Sequence, residues 1–323
     1  MTTEGEPFLQ YEGEDGMLIF ACEADLLFLA SQLHWFVDGT FSITPNGYAQ
    51  QYTIHAMYDG KIYPCVYALL PGKSTDVYIK FIHEVLLLLP AGTVANPASI
   101  MMDFEKAAMN AFEHHFPHAE IAGCYFHLCQ SIWRKIQNMK LDIRYKAEPA
   151  FAIRVRKFLA LAFVPPNEVH YYMRILMADE VSKNDSLVQF AIYFQDTYVG
   201  QSFGMGIETH ATFPYRTWNM YERVKANLPR TNNAMEGWHH AFCNGLRHPT
   251  LPKLAQKYKK EQHRHLLERT RHMAGITTPA IIRKYQKLSK SLKAVISKLD
   301  RFITADLPYL EIVARLMIIN YPE

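Results

Sequence analysis

The stretch His34-Trp35-Phe36-Val37-Asp38-Gly39-Thr40-Phe41 constrains the fold more than any other part of the chain. An apolar run that ends in an acid and a glycine turn is how a buried strand delivers a carboxylate to the edge of a sheet. Two later stretches read as its neighbours in space. One is Ile100-Met101-Met102-Asp103-Phe104-Glu105, and the other is Arg230-Thr231-Asn232-Asn233-Ala234-Met235-Glu236-Gly237-Trp238-His239.

The surrounding pattern supplies the elements. Residues 1–16 are polar and read as a loose lead-in. Met17–Phe20 reads as a short strand. Ala24–Leu33 reads as a helix, with Leu26, Leu27, Leu29, Ala30 and Leu33 on one face. After the Trp35–Asp38 strand, Gln51–Tyr58 and Ile62–Leu70 flank Asp59-Gly60, a hairpin turn signal. Pro64 implies a position whose N–H has no ladder partner. Thr75–Leu89 has Val77, Phe81, Val85 and Leu88 at helical spacing behind a Ser74 or Thr75 cap. A strand at Ser99–Met102, a helix at Lys106–Phe116, a strand at Glu120–Gly123 and a helix at Cys124–Met139 follow.

The order β-β-β-α-β-α-β-α is that of a ribonuclease-H-like α/β core with a mixed sheet, here residues 17–140. Residues 141–228 change character. They read as an all-helical insertion, broken at Pro165-Pro166 and by a Gly-rich turn near 200–206. Residues 229–250 return to the core as a helix carrying Glu236. Residues 251–323 read as a basic, helical C-terminal extension.

The spacing gives the three acids a chemical meaning. Asp38 closes the first core strand, and Asp103 closes the fourth, its expected neighbour. Glu236 sits on a helix able to cover both. Hard divalent ions take carboxylate oxygens, and a pair of them about 3.5–4 Å apart stabilises the attacking and leaving oxygens of a phosphoryl displacement. Mg²⁺ or Mn²⁺ at Asp38, Asp103 and Glu236 is therefore the expected arrangement. Each acid also has a structural reading, as an Asp-Gly turn or a helix cap. Glu105 rivals Asp103 but reads as a favourable charge at a helix N-terminus.

The bulk numbers narrow the setting. The 323 residues are 49% hydrophobic and 20% charged, and their apolar runs are too short to span a bilayer. Five scattered cysteines fit a reducing compartment rather than a disulfide framework. Net charge is only +3, yet residues 1–60 hold nine acids and no Lys or Arg, while residues 251–300 hold thirteen Lys/Arg and three acids. Lys253, Lys257, Lys259, Lys260 and Arg264 form a basic stripe that fits an anionic partner or a solvated helix face.

These motifs resemble the transposase domain of Mutator-like elements. Asp38-Gly39-Thr40-Phe41 resembles the family's first motif and Met102-Asp103-Phe104-Glu105-Lys106-Ala107 its second. The Cys124-Tyr125-Phe126-His127 segment resembles its Cys-x-x-His stretch. Trp218-Asn219 and Arg230 to His239 resemble its third motif. The resemblance implies a DDE-type enzyme that cleaves and transfers DNA strands with Mg²⁺ or Mn²⁺, with Asp38, Asp103 and Glu236 as catalytic, metal-holding residues. It implies transposon-end and target DNA as partners and the nucleus as location. A homo-oligomer without membrane association is expected. Members often carry an N-terminal zinc finger of the FLYWCH type. Here about thirty residues with one cysteine precede the first core strand, so how DNA ends are recognised stays open, and a domesticated, catalytically silent DNA-binding or scaffolding protein derived from such a transposase is the alternative.

The remaining candidates surround that reading. Cys124, His127, Arg134, Arg230, Asn232, Asn233 and His239 are expected to support the acids or touch DNA. Arg230, Asn232 and Asn233 precede a helix N-terminus, where free N–H groups suit a phosphate; an Asn cap is the other reading. Cys124 and His127 with His239 and Cys243 have spacings compatible with a Cys₂His₂ zinc site, and core packing or orientation of a carboxylate is the alternative. Trp133, Trp218 and Trp238 read as core.

Overall fold

The structure is a computed structural model and describes residues 1–3, 5–183, 185–201, 209–246, 249–277, 283–298 and 306–317. It divides into two compact units. The first comprises Met1–Ala122 and Thr231–Ala280, and the second Gly123–Arg230 and Ile281–Glu323.

The first unit is built on a seven-stranded sheet. Its strands are β1 (Leu9–Glu12), β2 (Leu18–Phe20), β3 (His34–Thr40), β4 (Gln50–Tyr58), β5 (Lys61–Leu70), β6 (Ser99–Met102) and β7 (Glu120–Gly123), in the order β1-β2-β5-β4-β3-β6-β7. β4 runs antiparallel to β3 and β5, while β6 runs parallel to β3. This is the mixed sheet of a ribonuclease-H-like α/β core, extended at one edge by β2 and β1. Asp59 and Gly60 both take positive φ, +45° and +75°. That is the turn whose twist matches a tight hairpin, and Tyr58 pairs Lys61 across it. The β4–β5 register slips where His55 faces Pro64, so the proline falls at a bulge, where a missing N–H does least harm.

Both faces of the sheet are covered, which explains the near-continuous burial of β4 and β5. On one face, α2 (Thr75–Leu87) and α3 (Lys106–His115) pack against each other, and α1 (Glu23–Ser31) packs on β4 and β5. There Tyr52 meets Tyr78 and Phe81, and Trp35 meets Phe116. Ser74 caps α2 through the Val77 N–H. The other face carries α11 (Asn233–Cys243) and α12 (Leu251–Met273). Trp238, Phe242, Leu254 and Tyr258 pack there on Phe20, Tyr67 and Leu69, while Met235 packs on Phe36, Met101 and Ala122.

Two expectations change. The lead-in holds an edge strand, because Phe8 is buried and Leu9–Glu12 pairs β2. Helix α1 buries Leu26, Phe28 and Leu29 and leaves Leu27 and Leu33 exposed. Its face is turned by Asp25, which is buried because Arg269 of α12 donates Nη1–H to it at 2.7 Å.

The second unit is helical. It contains α4 (Tyr125–Asn138), α5 (Asp142–Ala147), α6 (Pro149–Ala160), α7 (Val169–Lys183), α8 (Leu187–Phe194), α9 (Tyr215–Trp218), α10 (Tyr221–Lys225), α13 (Arg283–Ile296) and α14 (Asp306–Leu316). The region 251–323 thus contributes to both units. Phe158, Phe190, Phe194, Tyr198 and Trp218 form the unit's aromatic core. Most of the Gly-rich turn expected near 200–206 lies outside the described residues. Among the described residues, no helix is long and apolar enough to cross a membrane.

Removing one partner of a buried ion pair strands the other charge and costs about 3–5 kcal/mol. Asp25→Ala is expected to lower the unfolding free energy by that amount in urea denaturation followed by circular dichroism. The apolar pair Asp25→Leu with Arg269→Met should recover most of it.

Candidate active site

Strand register brings the first two acids together. The last β3–β6 pair is Phe36↔Met101. Counting two residues on along each parallel strand gives Asp38 and Asp103. Side chains two apart share a face, and adjacent strands lie about 4.8 Å apart, so both carboxylates emerge at one sheet edge. Phe36 and Met101, of the same parity, meet Met235 on α11. Asp38 and Asp103 therefore open toward the face that α11 covers.

Helix α11 carries the third acid. Glu236 is half-buried and follows the anchor Met235 directly. His239, one turn later on the same helix face, places Nε2 3.4 Å from Asp38 Oδ2. The helix is pinned by Trp238, whose Nε1–H donates to Glu261 Oε1 at 2.8 Å and whose ring meets His55 edge-on. Burial raises the Glu261 carboxyl, but hydrogen bonds from His265 and Arg264 outweigh it and bring the group down to about 2. The anchor is thus a charged acceptor at any ordinary pH.

The edge is electrostatically loaded. Burial pushes the Asp103 carboxyl up to about 6, helped by the negative charges of Asp38 and Glu105 and opposed by the Glu105 N–H and by Lys73. Asp38 Oδ1 accepts from the Gly39 N–H at 2.9 Å. Gly39 also has a steric reason to lack a side chain: a Cβ there would stand 2.4 Å from Gln50 Oε1 and 3.2 Å from Tyr52 Cδ2. Gln50 is fully buried and donates to the Tyr78 hydroxyl at 2.5 Å. Burial raises the Tyr78 phenol, and neighbouring Glu105 adds to the rise.

Other expected residues fall in different places. Asn232 takes the N-cap position of α11, with its carbonyl accepting from Met235 and Glu236 but no side-chain cap bond. Asn233 begins the helix. In the second unit, Cys124 is the buried N-cap residue of α4, His127 lies in that helix's first turn, and Arg134 is exposed. Arg230 there donates Nη2–H to Ser289 Oγ at 3.2 Å, and its carbonyl accepts the Tyr125 N–H. Trp218 and Asn219 bond backbone carbonyls within their unit. His239 and Cys243 belong to the first unit and Cys124 and His127 to the second. Among the described residues, no group of three or more His, Cys, Asp or Glu side chains stands arranged to hold a metal ion.

The basic stripe is narrower than its sequence suggests. At 100° per residue, Lys253, Lys257, Lys260 and Arg264 share one face of α12, and Lys259 points well away from it. Lys257 lies over the Phe242 ring, and Arg264 is paired with Glu261.

Sequence reasoning missed Lys73, Tyr78 and Gln50, and it set Glu105 aside as a helix charge. Lys73 stands over the Phe41 ring at 3.5 Å. Nothing in its local sequence marks it, because its place depends on where β5 ends relative to β3.

A mixed sheet in this order, with acids at two adjoining strand ends and a third on a helix laid across that edge, defines a ribonuclease-H-like core. Residues 34–131 match the family model described as the MULE transposase domain. The match runs from β3 into α4. It contains Asp38 and Asp103, and Glu236 lies outside it. No curated protein matches the chain.

An acid whose folded pKa is raised is destabilising once ionised. Below the ordinary carboxylate range both folded and unfolded Asp103 are protonated, and the penalty is absent. It develops as pH rises from about 4 to about 6. In metal-free urea titrations, Asp103→Asn should match the parent near pH 4 and exceed it in stability at pH 7–8.

Proposed function

We propose that this chain is a DDE-type DNA transposase core that cleaves and joins DNA strands, with Asp38, Asp103 and Glu236 as its catalytic acids. The observation that carries the reading is the placement of Asp38 and Asp103 two residues beyond the parallel Phe36↔Met101 pair, where burial and the Asp38 charge raise the Asp103 carboxyl. The transposase domain match supports DNA as the partner.

The residues fit a hard divalent cation. Asp38 and Asp103 offer carboxylate oxygens at the two strand ends, with His239 Nε2 beside Asp38, and a raised carboxyl beside a second carboxylate is a repulsion that a cation relieves. Asp38, Asp103 and Glu236 would hold Mg²⁺ or Mn²⁺, which supplies Lewis-acid stabilisation of the phosphoryl oxygens. The protein's own part is positional. Gly39 N–H orients Asp38, with His239 beside it, the Glu105 N–H steadies Asp103, and the Trp238–Glu261 bond holds the Glu236 helix in place. In the chemistry proposed, water adds to phosphorus and the P–O3′ bond breaks, leaving a 3′-hydroxyl and a 5′-phosphate. The 3′-hydroxyl then attacks a target phosphodiester, and one P–O bond replaces another. The nucleus is the proposed location, where such DNA lies.

A second reading, a domesticated DNA-binding protein without catalysis, draws on the absence of a ready three-ligand group among the described residues. Plasmid nicking separates the two. With Mg²⁺ or Mn²⁺ the parent should nick DNA, and Asp38→Asn, Asp103→Asn and Glu236→Gln should each lose at least about 10²-fold in rate, since each removes charge stabilisation at the reacting phosphate. Salt-sensitive binding without nicking under either metal would select the second reading, and nicking that survives Asp103→Asn would remove that residue from the chemistry.

A further inference from the structure

Beside the acid edge, within the first unit, lies a cleft of about 790 Å³ lined by Thr40, Ser42, His240, Asn244 and Lys253, with His239 at its border toward Asp38. None of the described residues lining it is an acid. Thr40 follows Asp38 by two residues, so it shares the same sheet face about 7 Å further along the strand. Two hydroxyls, an amide, an imidazole and an ammonium group converge there, each able to donate to an oxyanion. Lys253 is exposed in the first turn of α12, and none of the described acids pairs with it. Arg264, further along, is already tied to Glu261. From Lys253 the helix face continues through Lys257 and Lys260, away from the cleft, as a basic line.

We propose that this cleft binds a phosphate of the DNA strand next to the one cut at Asp38 and Asp103, with Lys253 supplying the charge and the Thr40 and Ser42 hydroxyls, which now face each other and Cys243, supplying donors. The inference rests on the reading of the acid pair as the place of strand cleavage, and it names the contact that sets the strand's register there. The carboxylates repel a phosphate on one side, and the cleft offers charge and donors on the other. A strand crossing both is held by the cleft while its neighbouring phosphate faces the acids.

Binding measured without metal keeps the cleft separate from catalysis. The full chain is titrated against a fluorescent DNA duplex in EDTA across a salt series. Each phosphate neutralised by Lys or Arg contributes about 0.9 to the slope of log affinity against log salt. Lys253→Gln should lower that slope by about 0.9 and weaken low-salt binding about tenfold, while Lys259→Gln, off the basic face, should leave the slope unchanged. Ser42→Leu, which removes a hydroxyl donor and narrows the cleft without changing charge, should also weaken binding, with circular dichroism confirming the fold of each variant. An unchanged slope in Lys253→Gln, an equal loss in Lys259→Gln, parent-like binding by Ser42→Leu, or no DNA binding at all would each overturn the proposal. If nicking fails under both metals but the Lys253 slope change holds, the cleft stands and the cleavage reading falls. Nicking with an unchanged slope has the opposite meaning.

Discussion

The parallel pairing of β3 with β6 is the constraint on which the candidate site depends. Parallel strands in register deliver residues at equal distance from a shared pair to the same edge. The Phe36↔Met101 pair therefore fixes where Asp38 and Asp103 emerge. Burial first, and then the neighbouring charges of Asp38 and Glu105, push the Asp103 carboxyl up to about 6. A fold that spends stability on repelling charges at one rim has a use for that rim.

The second requirement is a helix held across that rim. Helix α11 is fastened at both ends of its buried face, by Met235 over β3 and β6 and by Trp238 and Phe242 over β2 and β5. The polar side of Trp238 is satisfied by Glu261, which is in turn held charged by Arg264 and His265. Helix α12 is anchored separately by the buried Arg269–Asp25 pair. Thus the segment carrying Glu236 and His239 is anchored by neighbours far from the acids themselves, as positioning of reacting groups demands.

The helical unit is organised differently. Its core is aromatic and apolar, and Cys124, Trp218 and Asn219, which belong to stretches that resemble family motifs, are buried in it. Trp218 and Asn219 spend their donors on backbone carbonyls of their own unit, and Cys124 caps α4 from a fully buried position. A motif residue can thus be needed for packing even where chemistry first suggests itself.

The sequence by itself determined the element order and the acids at strand ends, because alternation, caps and turns act over a few residues. The run into Asp38, the Asp59-Gly60 hairpin and the Ser74 cap were all legible there. Edge strand β1 was not, since four half-exposed residues gain their stability from pairing β2. Nor was the burial of Asp25, whose partner lies 244 residues away. Tertiary structure alone decided that His239 meets Asp38, that Gln50 crowds position 39, and that Lys73 stands near Asp103. Each of these follows from how strands and helices distant in the chain pack against one another, and local periodicity carries no record of that.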